Sequence, residues 1–86
     1  MTVIDQAVDY LTTHGFARAE CVVNGEVSSY YDHDSGRAQV LILNERANQL
    51  AVVATTDDPV RLPNWEAELR FAPLSVIVAT ITAALA

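Results

Sequence analysis

The sequence predicts an α+β domain in which a helix, a four-stranded antiparallel meander and a second helix follow one another (α-β-β-β-β-α). Three observations carry that expectation. Apolar residues recur at Ile4, Ala7, Val8 and Leu11, the i, i+3, i+4, i+7 stripe of an amphipathic helix. The middle of the chain instead alternates short apolar, β-branched runs with turn residues. The stretch from Phe71 to Ala86 carries no charge and returns to helical spacing.

Each element has its own local signal. Thr2 followed by Asp5 forms a capping-box start, with the carboxylate near the positive end of the helix dipole. Asp5, Gln6, Asp9 and Thr12 fall opposite the apolar stripe, His14 falls in the last turn, and Gly15 suits the C-terminal cap. The first helix is therefore expected over residues 2–14. Asn24-Gly25 marks a turn, and Val27 to Tyr31 reads as a strand. His33-Asp34-Ser35-Gly36 reverses the chain, with Gly36 free to take a positive φ. Ala38 to Leu43 and Leu50 to Thr55 are the next strands, joined by the polar loop Asn44 to Asn48, and Asp57-Asp58-Pro59 and Pro63 interrupt the pattern again. From Asn64 the alternation is clean. Trp65, Ala67, Leu69 and Phe71 share one side, and Glu66, Glu68 and Arg70 the other. Pro73 or Ser75 then opens the last helix, whose strongest stripe is Leu74, Ile77, Val78, Ile81 and Leu85.

Eighty-six residues make one domain, 1–86, with a core that is feasible but small. Eleven acidic residues stand against five arginines and no lysine, for a net charge of −6. Such a chain is repelled by phosphate backbones, which argues against direct nucleic-acid binding. Without lysine, the phosphate-binding loops that depend on it are excluded. Cys21 is the single cysteine, so neither an internal disulfide nor a multi-thiolate metal site can form, and a reducing cytoplasm is the expected setting. Met1 to Asp5 lack the basic-then-apolar order of a signal peptide. The run from Phe71 to Ala86 is interrupted by Pro73 and falls short of the roughly 20 residues that span a bilayer, so it is expected as a buried helix and no membrane association is expected.

Two features point to self-association. The strand from residue 38 to 43 is apolar on both faces, Val40 and Ile42 on one and Leu41 and Leu43 on the other. Residues 50–55 behave likewise, with Leu50 and Val52 opposite Ala51 and Val53. Two short helices cover only one face of a sheet. The weaker side of the last helix, Val76, Ala79, Thr80 and Ala83, also carries no charge, and a helix apolar all round is normally buried all round. A homodimer is the economical explanation, with the sheet face or the terminal helix as its surface. Tight burial within one small domain is the alternative.

Residues from about 26 to 86 resemble a family of actinobacterial and actinophage domains of unknown function. The likeness is carried by Asp34-Ser35-Gly36-Arg37 at a turn between strands, by Trp65-Glu66-Ala67-Glu68-Leu69, and by Pro73 leading into a helix that closes Ala83-Ala84-Leu85-Ala86. The resemblance implies the fold and an actinobacterial or phage host. It implies no chemistry.

The remaining candidates are each weighed against a plainer reading. Asp32-His33-Asp34 has metal-ligand residue types, but adjacent residues diverge and Asp caps such turns routinely, so no metal and no cofactor are expected. Cys21 and His14 could pair as nucleophile and base, whereas a buried inert thiol is the commoner case. Tyr30 and Tyr31 project to opposite faces of their strand. An exposed Tyr near Arg37 would suit a binding anchor, and a cross-strand aromatic pair is the plainer reading. Trp65 is expected as a core anchor. Asp57, Asp58, Glu66 and Glu68 form the densest acidic patch, which could engage a basic protein surface or imitate a nucleic acid, or be solvated surface only.

These readings together predict a non-catalytic interaction module, a dimeric accessory or regulatory protein with a protein partner. An acidic inhibitor or chaperone acting on one host protein is the alternative, and a small enzyme comes third.

Overall fold

The computed structural model describes residues 2–55 and 63–86. It is an α+β fold of two helices and one antiparallel sheet, with five strands where the sequence predicts four. The elements run α1 (Val3–Thr13), β1 (Phe16–Val23), β2 (Glu26–His33), β3 (Ala38–Asn44), β4 (Gln49–Thr55), β5 (Pro63–Leu69) and α2 (Leu74–Leu85). The strands lie in the sheet in chain order, a simple meander.

The additional strand is β1. Asn24 and Gly25 both have positive φ, 52° and 80°, which is the type I′ geometry whose twist matches a two-residue hairpin. That turn sets β1 against β2 in eight consecutive antiparallel pairs, from Phe16 opposite His33 to Val23 opposite Glu26. Only Tyr30, Tyr31 and Asp32 of β2 pair with β3, so the far half of the hairpin extends beyond the rest of the sheet. Val22 and Val27 on this extension are 70% and 66% exposed.

α1 begins as its sequence predicts. The backbone N–H of Asp5 donates to Oγ1 of Thr2 at 3.1 Å, and the N–H of Thr2 donates to Oδ2 of Asp5 at 3.2 Å. Ile4, Ala7 and Leu11 are its buried stripe. The helix is capped by His14, and Gly15 follows at φ +85°. α2 is capped by Pro73 and buries Ile77, Ile81 and Ala84.

Both helices pack on one face of the sheet and against each other. The core between the layers holds Phe16 from β1, Ala38 and Val40 from β3, and Leu50, Val52 and Ala54 from β4, under the buried helix residues. Extents of 37 × 34 × 21 Å fit this two-layer arrangement.

Three side chains depart from expectation. Trp65 is not a core anchor: it stands at the rim of the covered face and is 37% exposed, because β5 meets the end of α2 there and not its middle. Cys21 is exposed and not buried, because β1 has no helix over the side on which that thiol lies. Phe71 does not continue the β5 alternation. The strand ends at Leu69, and Phe71 takes φ +55° with its N–H donating to the carbonyl of Ala47 at 3.1 Å.

Candidate functional site

Strand register determines which residues share the sheet face turned away from the helices. One row runs Ala19, Tyr30, Leu41, Ala51 and Glu68 across the five strands, and the next runs Ala17, Asp32, Gln39, Val53 and Glu66. The centre of this open face is therefore apolar (Tyr30, Leu41, Ala51, Val53), and its β5 margin is acidic. Val53 is only 9% exposed although no helix covers it, since its cross-strand neighbours shield it. Leu43, beside the irregularity between Ile42 and Asn44, is 48% exposed. The side-chain amide of Gln49 donates to the Glu68 carboxylate, which fixes that end of the margin.

The opposite parity places Tyr31 under the helices. Tyr31 pairs with Arg18 on β1 and Val40 on β3, and it is half-buried, as is Tyr30 on the other face. The two tyrosines thus serve different surfaces. Tyr31 helps line an open groove of about 600 Å³ between α1 and the β1–β2 hairpin. The groove has Ile4, Val8 and Ile42 as apolar lining and Asp5, Asp9, Arg18, Ser29 and Glu45 as polar lining. It exists because the protruding hairpin is wider than the helix above it. The groove needs β1, whose one signal in the sequence is Asn24-Gly25, since a hairpin turn requires a strand on each side.

Arg37 is exposed and lies away from both tyrosines' groove and row. It borders a smaller hollow with Thr55, Trp65 and Ala83. The outer side of α2 leaves Val76, Ala79 and Ala83 exposed, with Thr80 half-buried and its hydroxyl bonded to the carbonyl of Val76 at 2.8 Å. Of the acidic patch, Glu66 and Glu68 are exposed on β5, and Asp57 and Asp58 lie outside the described residues.

The catalytic and metal candidates are not brought together. His14 stacks on Tyr10 with ring centroids 3.9 Å apart, and its Nδ1 donates to the Tyr10 carbonyl at 2.7 Å. Cys21 lies far along β1, opposite Ser28. Nδ1 of His33 accepts from the Ser35 N–H at 3.1 Å, and the His33 ring meets Phe16 edge-on at 4.9 Å, which makes it part of the turn. Among the described residues, no group of three or more His, Cys, Asp and Glu converges as metal ligands. No helix among them is long and apolar enough to cross a membrane.

Compared with family models, curated proteins and solved structures, the chain has no match.

Proposed function

We propose that this chain is a non-catalytic protein-interaction module that works as a homodimer, an accessory or regulatory protein of the actinobacterial or phage kind that its sequence resembles. The observation that carries the reading is the open sheet face. Tyr30, Leu41, Ala51 and Val53 form an apolar centre with helices on the other side of the sheet only. Tyr30, Leu41 and Ala51 are only half-buried in the single chain, and another protein laid on this face would complete their burial. Light scattering over a dilution series tests the assembly. The expected mass is twice the 9.3 kDa chain, and a non-aggregating monomer at all concentrations overturns the reading.

A second reading has its own observation. The groove beside α1 combines apolar Ile4, Val8 and Ile42 with three carboxylates, Asp5, Asp9 and Glu45. That lining suits an acidic inhibitor or chaperone holding a basic segment of one host protein. Its signature is a stoichiometric complex whose affinity falls steeply with salt and with Asp9→Asn.

A further inference from the structure

We infer that the homodimer forms by antiparallel pairing of β1 with β1 of a second copy, in the register that sets Ala19 opposite Ala19 across a two-fold axis. This inference rests on the homodimer reading above and places the contact between the two copies at the β1 edge, which leaves the open sheet face to a protein partner.

The two sheet edges differ in kind. β5 begins with a proline, which offers no N–H, shows a register shift against β4 between Ala54 and Thr55, and carries Glu66 and Glu68 of one sign. These devices discourage edge-to-edge pairing. β1 has none of them. It contains no proline or glycine, pairs with β2 without a register shift, and no described segment occupies its outer side.

The hydrogen-bond phase of β1 follows from its turn. A two-residue hairpin closes on a pair that exchanges both backbone bonds, here Val23 with Glu26, so odd-numbered residues of β1 face β2. The Asp34 N–H donating to the Gly15 carbonyl at 2.9 Å confirms that phase at the other end. Phe16, Arg18, Glu20 and Val22 therefore direct their N–H and C=O groups outward.

A second β1 can pair only so that outward residues meet outward residues and side chains share a face. Three symmetric registers overlap most of the strand. Centring on Arg18 sets two guanidinium groups opposite each other, and centring on Glu20 sets two carboxylates together. Centring on Ala19 sets Arg18 opposite Glu20 of the second copy, and Glu20 opposite its Arg18. The same register sets Phe16 opposite Val22 and Ala17 opposite Cys21, so apolar meets apolar and small meets small. Arg18 and Glu20 are free to make the exchange: their side chains are 62% and 60% exposed, and their own contact is a loose 3.8 Å. Val22, 70% exposed in the single chain, gains a neighbour. Opposite charges two positions apart on one face thus make this edge complementary to its own copy.

Charge reversal tests the register. Arg18→Glu and Glu20→Arg each turn two attractive pairs into repulsive ones and are expected to weaken self-association on the order of thirtyfold. The double variant R18E/E20R, and an equal mixture of the two single variants, should regain the dimer, which separates loss of pairing from loss of folding. Ala79→Arg, on the exposed side of α2, should leave the mass unchanged. In a Cys21→Ser background, Ala19→Cys should give a disulfide-linked dimer on mild oxidation, because non-hydrogen-bonded pairs bring Cα atoms to about 4.5 Å, within disulfide reach. A wild-type dimer that both single reversals leave intact, or that Ala19→Cys fails to link, overturns the β1 interface and leaves the homodimer standing. A wild-type monomer removes both.

Discussion

Gly15 and His33 share a space that a side chain at residue 15 would overfill: a Cβ built there lies 2.9 Å from Nε2 of His33 and 3.3 Å from Oδ2 of Asp34. Gly15 also holds φ +85°, in the left-handed region that an L side chain enters at a cost of roughly 1–2 kcal/mol. The glycine thus ends α1 and admits the β2–β3 turn in one position. Gly15→Ala is expected to destabilise the fold by about 2 kcal/mol in urea unfolding, and Gly15→Val by more.

The capping box of α1 makes a smaller, local prediction. Thr2→Ala removes the oxygen that accepts the Asp5 N–H and leaves only the return bond from the residue-2 backbone N–H to the Asp5 carboxylate. The expected loss is about 1 kcal/mol. In a domain of this size that lowers the melting temperature by roughly 4–8 °C, read by thermal circular dichroism.

Phe71 offers a gain. Its φ of +55° is unfavourable for an aromatic residue, and its side chain is 68% exposed, so little burial offsets the strain. Phe71→Gly keeps the N–H bond to Ala47 and relieves the backbone. Denaturant unfolding should show stabilisation of roughly 0.5–1 kcal/mol, since the flexibility of glycine in the unfolded chain cancels part of the relief.

Trp65, the single tryptophan, reports on the end of the sheet. At 37% exposure it should fluoresce at a wavelength between those of buried and fully solvated indole. Trp65→Ala should cost about 1–2 kcal/mol, well under the roughly 3–5 kcal/mol of a core aromatic.

Much of this fold can be read from residues whose local and tertiary roles agree. The spacing of Ile4, Ala7 and Leu11 with Thr2 and Asp5 locates α1, and Ile77 and Ile81 locate α2, because amphipathic periodicity survives in helices that bury one side. β1 is illegible by the same test. Its covered side reads Phe16, Arg18, Glu20, Val22 and its open side Ala17, Ala19, Cys21, and only Phe16 reaches the core. A strand that protrudes past its layer has no burial to imprint a period of two. Trp65 misleads for a related reason: the β5 alternation gives its side of the sheet correctly but not how near the rim that position falls. The groove depends on both helix and hairpin, so no contiguous stretch of sequence announces it.

The order of the elements also has a consequence during synthesis. α1 precedes the sheet in the chain, yet it packs against α2, which follows the sheet, and α2 supplies the layer over β3 and β4. Until the twelve-residue α2 has cleared the ribosome, Val40, Leu50 and Val52 lack the helix that covers them. A product truncated within α2 would therefore be a sticky, aggregation-prone chain and not a slightly shorter domain.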